Sequence, residues 1–217
     1  MISAIILAAG SSTRFKHKIP KQFSILYNKK SVLDFSVDTF YNHNKINEII
    51  IVVPTLWKDE IQKKYPKCKV ISGGDSRSES SHLGLKKCSK ECEMVLIHDA
   101  ARPLITNKII NKCIVELLEY DAVIPYLNIY DSIISINRQE VNYLDRKNIK
   151  LVQTPQAFKY DEILSSYTND TNELDDFSVL VKNNKRFKTR FISGCKTNFK
   201  ITTENDIIIA KKIIHAL

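Results

Sequence analysis

Glycine is scarce in this chain, at five of 217 residues, so each glycine must have a local reason. The scarcity argues against a collagen-like or glycine-linker protein. No apolar run approaches the roughly 18 residues of a membrane span, so a membrane protein is not expected. The first ten residues, MISAIILAAG, lack a basic leader and run directly into an apolar strand, so no secretory signal is expected. Cysteine is present in a small, odd number, five, and the chain is long enough to bury a core without cross-links. Reduced thiols and a cytoplasmic location are the expectation. Cys88 and Cys92 are spaced like half of a zinc site, but no second pair follows, so a metal role there is not expected.

Acidic residues are in deficit, with Asp+Glu 24 against Lys+Arg 33, a formal net charge of +9. That excess points either to a lysine-rich solvated surface or to an anionic partner. The basic clusters at 16–18, 63–69, 182–188 and 211–212 are scattered and hardly interleaved with aromatics, so nucleic acid is not the expected partner. With 43% hydrophobic and 26% charged residues, the composition is that of a folded globular chain.

Apolar strands alternate with amphipathic helices. Strands are expected at 2–7, 48–53, 69–72, 94–98, 122–125 and 187–193. Helices are expected at 31–39, 57–65, 78–88, 107–118, 160–167, 174–183 and 206–216. Continuously apolar strands separated by helices predict an α/β fold: a doubly wound, mostly parallel sheet with helices on both faces. The chain reads as one domain, 1–217. Residues 126–157 break the rhythm and predict an inserted β-hairpin arm. A hairpin with so little core of its own is marginal alone, so it must pack against the core or a second subunit.

Ligands of such sheets bind beyond the carboxyl ends of the strands, and the chemistry-bearing residues fall there. The first loop supplies Ala8, Ala9, Gly10, Ser11, Ser12 and Arg14, followed by Pro20, Lys21 and Gln22. A glycine among small residues lets a ligand approach the backbone, whose N–H groups form an anion cradle. Arg14 and Lys21 add phosphate-binding charge. The loop is neither a three-glycine dinucleotide fingerprint nor a Walker A motif. Gly73-Gly74-Asp75 follows the third strand, where a base can lie against the main chain. Asp75 offers an acceptor, Ser80 a hydroxyl, and Asp75 can also cap the next helix. His98-Asp99-Ala100-Ala101-Arg102-Pro103 closes the fourth strand. Asp99 can meet ribose hydroxyls or a Mg²⁺ ion between phosphates. Ala100 and Ala101 leave room, Arg102 can hold a carboxylate or face the second substrate, and His98 reads as packing. Thr154-Pro155-Gln156 reads as a rigid turn near the site.

Taken together, LAAG-x-x-x-R, Pro20-Lys21-Gln22, GGD-x-R-x-x-S, HDAARP, Asp145-Arg146, QTPQ-x-F and N-x-KIT occur in an order and spacing that resemble the 2-C-methyl-D-erythritol 4-phosphate cytidylyltransferase family, over residues 3 to about 206. The resemblance implies a Rossmann-like nucleotidyltransferase fold. It also implies CTP and Mg²⁺, with a methylerythritol phosphate acceptor in isoprenoid precursor synthesis. By the resemblance, Arg14, Lys21 and Lys200 are catalytic, and Ala8–Ser12 of the first loop with Gly74, Asp75, Ser80, Asp99 and Ala100 hold the nucleotide. Arg102, Ser132, Arg146 and Thr154 meet the acceptor, and the arm reaches into the second subunit of a homodimer. Three positions depart from the family pattern: Leu174 stands where a threonine is usual, Ser132 where a threonine is common, and Ser12 where a glycine is common. Leu174 keeps a related acceptor open, ribitol 5-phosphate or another alditol phosphate, giving CDP-ribitol for cell-surface polymers. A nucleotide binder without catalysis and a nucleic-acid binder are the readings from other classes.

Overall fold

The computed structural model describes residues 1–10, 19–138, 140–168, 173–183 and 186–216. Strand β1 (Ile2–Leu7) leads to a small hairpin, β2 (Ile25–Tyr27) and β3 (Lys30–Ser31), and then to α1 (Val32–Tyr41). Next come β4 (Glu48–Val53), α2 (Lys58–Lys64), β5 (Lys69–Ser72), α3 (Arg77–Leu85), β6 (Met94–Asp99) and α4 (Asn107–Glu116). The second half runs β7 (Ala122–Asn128), β8 (Ile133–Asn137), β9 (Glu140–Leu144), β10 (Lys150–Val152) and β11 (Gln156–Lys159). It closes with α5 (Tyr160–Ser166), α6 (Asp176–Asn183), β12 (Thr189–Ser193) and α7 (Glu204–Ala216).

The main sheet runs β10-β7-β11-β6-β1-β4-β5, with β12 also paired to β7. The pairs β1–β4, β1–β6, β4–β5 and β7–β12 are parallel, whereas β10 and β11 run antiparallel to their neighbours. Alternate residues of the central strands go to opposite faces, as a pleated strand requires. Ala4, Ile6, Ile49 and Ile51 join α1 and α4 in one core cluster. Ile5, Leu7, Ile50 and Val52 join α3, α5 and α6 in another. That two-faced burial is why these strands read as unbroken apolar runs.

Besides shifts at the ends of elements, the structure departs from the sequence reading in the first hairpin and in the arm. The β2–β3 hairpin and β11 were not expected, and of residues 126–157, expected as an inserted arm packed on the core or a second subunit, β10 and β11 belong to the main sheet. Both lie along β7, Val152 opposite Tyr126 and Ala157 opposite Val123, so five steps on one strand face three on the other. The extra residues form a bulge at Gln153-Thr154-Pro155, where a proline without an N–H is tolerated. Of the strands in the arm, β8 and β9 stand apart as a two-stranded sheet, as β2 and β3 do earlier in the chain.

From β1 the chain winds outward through β4 to β5, then returns to β6 on the other side of β1. The strand order therefore reverses between β1 and β6. A crevice is expected above their carboxyl ends, where Leu7 pairs with Asp99. Among the described residues no helix is long and apolar enough to cross a membrane.

Candidate active site

Strand β6 ends one residue later than the sequence suggests, so Asp99 is its last residue. The antiparallel partner β11 reaches only Ile97. Beyond it the Thr154 hydroxyl, carried on the bulge, accepts the Asp99 N–H at 3.0 Å and stands in for a ladder bond. The same hydroxyl lies 3.1 Å from His98 Nδ1, and His98 Nε2 lies 3.1 Å from the Arg102 carbonyl oxygen. A carbonyl can only accept, so Nε2 carries the hydrogen and Nδ1 accepts from Thr154. His98 is thus a neutral, fully buried strut with both ring nitrogens occupied. Burial pushes its pKa down to about 4.

Asp99 itself faces two cations. Arg77 Nε is 3.2 Å from one carboxylate oxygen and Lys200 Nζ is 2.7 Å from the other. Burial opposes ionisation, yet Arg77, Lys200 and Arg102 hold the carboxyl well below the usual carboxylate range. Arg77 also reaches Asp176 Oδ2 at 2.8 Å, and Asp176 Oδ1 accepts from the Tyr167 hydroxyl at 2.7 Å. A chain of charge therefore runs from α6 through the first residue of α3 to the end of β6 and the segment after β12. Removing one member of a buried ion pair costs on the order of 3–5 kcal/mol, so the buried Arg77–Asp99–Asp176 part of this cluster depends on every member being present. Arg77 was quoted in the glycine-rich motif without a role. Its partner Asp176 lies far along the chain, and no local signal announces the pairing.

The loop residues pack under the crevice. Ala8 donates its N–H to Val52 O at 2.7 Å, and Gly73 donates to Val53 O at 2.8 Å. A Cβ on Gly73 would come within 2.3 Å of the Ala9 side chain, so only glycine allows the first loop and the Gly73-Gly74 turn to touch. The buried Ser80 hydroxyl accepts from Gly74 N at 3.2 Å and pins that turn. Asp75 is exposed and does not cap α3. Ser76 does, accepting the Glu79 N–H at 3.0 Å, while Asp75 N donates to Glu79. Lys21 sits on a short turn, Lys21–Phe23, fixed by Phe23 stacking on Trp57 at 4.1 Å.

Three residues have surroundings different from those expected. Ala100 is fully buried, with its N–H on Leu7 O and its carbonyl taking the Ser36 hydroxyl, so it supports the crevice floor. Thr154 is buried and engaged by Asp99 and His98, so its hydroxyl acts through them. Arg102 donates to Asn198 O at 2.9 Å and, among the described residues, forms no salt bridge with a carboxylate, though its charge still acts on Asp99. Ser132 and Arg146 are not brought to the Asp99 cluster. Both are exposed on the arm side, where Arg146 donates to Tyr130 O. Leu174 is 92% exposed, beside Asp175, whose carboxylate accepts from Gln156 and Ser178. Ser11, Ser12 and Arg14 lie outside the described residues.

Comparison with known proteins follows the same outline. A family model described as "IspD: 2-C-methyl-D-erythritol 4-phosphate cytidylyltransferase" matches residues 2–216. A 2-C-methyl-D-erythritol 4-phosphate cytidylyltransferase of Caldicellulosiruptor bescii is 36% identical, over 97% of this chain and 96% of that protein. The namesake enzyme of Clostridioides difficile is 35% identical, over 99% and 94%. The crystal structure of a 4-diphosphocytidyl-2C-methyl-D-erythritol synthase from Anaerococcus prevotii superposes with a TM-score of 0.85 at 29% identity, over 99% of this chain and 96% of that one.

The His98 assignment makes a direct prediction. The unfolded chain takes up this proton near the ordinary 6.5, the folded chain only near 4. Between those values the unfolded state binds more protons, so this residue's contribution to stability falls as pH drops. Imidazole NMR should show the Nε2–H tautomer with no titration between about pH 5 and 8. A midpoint near the ordinary histidine value would contradict the strut.

Proposed function

We propose, on the footing that the chain belongs to the 2-C-methyl-D-erythritol 4-phosphate cytidylyltransferase family, that it joins CTP to 2-C-methyl-D-erythritol 4-phosphate, giving the CDP-alcohol and pyrophosphate. It is a nucleotidyltransferase with a mostly parallel α/β sheet. The observation that carries the reading is the ionised Asp99, held between Arg77 and Lys200 at the strand-order reversal.

In this reading a phosphate oxygen of the alcohol ester attacks the α-phosphorus of CTP. A new P–O bond forms, and the bond to the β-phosphate bridging oxygen breaks. The nucleophile is already ionised near neutral pH, so no general base is needed, which suits a neutral, sequestered His98. The barrier lies in bringing two polyanions together and in the charge that builds on the α-phosphate and the leaving pyrophosphate. Positioning and electrostatics dominate in phosphoryl transfer, and the same argument extends to nucleotidyl transfer. Lys21 and Lys200 supply the positive charge among the described residues, and Arg14 is assigned with them by resemblance. Gly74, Asp75 and Ser80 frame the cytosine side, with Asp99 at the ribose.

No cluster of three metal-binding side chains occurs among the described residues. The described residues alone offer no cage for a resident metal, but a Mg²⁺ ion carried in on phosphates needs only one or two carboxylates. Asp99 fits that part, because two of its roughly four lone-pair directions are taken by Arg77 and Lys200. When bound there, Mg²⁺ would neutralise charge on the phosphates.

The arm supports a homodimer. On the β8–β9 hairpin Ile134 faces Tyr143 and Ile136 faces Val141, so four apolar side chains share one face. They are 45%, 80%, 65% and 55% exposed. An exposed apolar face on an otherwise unsupported hairpin marks a contact surface. In this reading a second copy covers it and brings Arg146 to the acceptor phosphate.

Two outcomes test these assignments. Pyrophosphate release is measured with CTP plus methylerythritol phosphate, with ribitol 5-phosphate in parallel. Lys21→Ala should fold normally yet lose about 10²–10³-fold in kcat. Lys200→Ala, which also takes a partner from the buried Asp99, should lose as much kcat and some stability. Wild-type kcat in folded Lys21→Ala would remove that residue from the mechanism. Ile136→Asp should convert a dimer to a monomer in light scattering and lower turnover. A dimer that survives the change would separate the arm from assembly.

A further inference from the structure

Gln22 follows Lys21 and is only 3% exposed. Its amide nitrogen donates twice across the crevice floor, to the carbonyl oxygens of Ala8 at 2.7 Å and Gly10 at 3.0 Å. Those carbonyls belong to the chain as it leaves β1. One side chain therefore joins the segment leaving β1 to the turn that carries Lys21. Both sides of this joint are independently fixed. Ala8 N–H is on Val52 O, and the turn is anchored by Phe23 against Trp57 and by the Phe23 N–H on Pro20 O at 2.9 Å.

The amide suits the task chemically. One neutral NH₂ group supplies two hydrogens to two carbonyls. A carboxylate in its place would set oxygen against oxygen, and an aliphatic chain would leave both carbonyls without that donor. The peptide joining residues 8 and 9 is planar and trans, so its N–H points opposite to its carbonyl. With the Ala8 carbonyl turned onto Gln22, the Ala9 N–H points away from it.

We propose that Gln22 is a positioning residue for the nucleotide: its two bonds set the distance between the Ala8–Gly10 backbone and Lys21, so that the Ala9 N–H and the Lys21 ammonium meet one triphosphate in a fixed arrangement. The proposal rests on the cytidylyltransferase reading for its ligand. In this latch, the Gln22 side chain bonded to the Ala8 and Gly10 carbonyls, the amide is turned onto the protein's own backbone, so its effect on the nucleotide passes through Lys21 and the Ala9 peptide.

The test compares wild type, Gln22→Leu and Gln22→Glu by calorimetric titration with CTP and by steady-state kinetics. Gln22→Leu should weaken CTP binding and raise the KM for CTP by about 10–100-fold, the size expected for two lost donors. The KM for the polyol phosphate should stay within about twofold. Gln22→Glu should behave like the leucine variant at pH 8. It should regain affinity relative to wild type as the pH falls towards 5, because a protonated carboxyl donates one hydrogen again. This pH-dependent rescue keeps the proposal testable should the leucine variant fold poorly. A residue that only stabilises the fold would reduce the active fraction and kcat while leaving the KM for CTP unchanged, and that result overturns the proposal. So does unaltered CTP affinity in folded Gln22→Leu, or a glutamate variant without pH dependence. CTP binding that depends on Gln22 in a wild type that releases no pyrophosphate would support the latch and contradict the catalytic reading instead.

Discussion

A carboxylate placed at the buried end of a central strand is tolerable only where cations meet it, and at Asp99 two do. Lys200 takes one oxygen at 2.7 Å and Arg77 the other at 3.2 Å. Desolvation alone would keep such a group protonated. The surrounding positive charge reverses that preference and leaves a fixed anion among fixed cations. The arrangement draws on four parts of the chain: the end of β6, the start of α3, the segment after β12 and, through Arg77, the start of α6. Any movement of one segment is felt by the others, because the charges can relax only by separating from their partners.

The fold explains why these segments converge. The sheet reverses order between β1 and β6, the place where such sheets receive ligands over the carboxyl ends of their strands. A bulge between β10 and β11 removes the antiparallel partner of β6 beyond Ile97, and Thr154 fills the vacancy in the ladder. The neutral His98 beneath it completes the support. Polar groups that look reactive in the sequence are thus divided between two jobs. His98, Thr154 and Arg102 hold the frame. Asp99, Lys200 and Lys21 are the charged groups that the proposed nucleotide would meet.

Much of this was legible in the sequence. Unbroken apolar runs at 48–53 and 94–98 announce strands covered on both faces, and polar residues directly after them mark the crevice. The short hairpin at residues 25–31 and strand β11 were not legible. They are two to four residues long; β11 mixes polar with apolar side chains and owes its conformation to the sheet beside it, while β2 and β3 pair with each other in a sheet of two. Residue roles were harder still. Thr154 and Ala100 sit beside the site in sequence, but tertiary packing turns their polar groups inward. Arg77 has the opposite history: it stood in a quoted motif, and its meaning depends on Asp176, which folding brings to it. Asp75 was a reasonable helix cap by residue type, yet Ser76 has the extended backbone and the bond to Glu79.

The central claim is electrostatic and spatial: the crevice over β1 and β6 takes the triphosphate between the Lys21 turn and the Asp99–Lys200 pair. A crystal structure of the protein with CTP and Mg²⁺ tests it most directly. The account predicts phosphate oxygens at hydrogen-bonding distance from Lys21 and the Ala9 N–H, with the ribose towards Asp99. A nucleotide bound elsewhere, with Lys200 still closed on Asp99 and Lys21 distant from any phosphate, would contradict it.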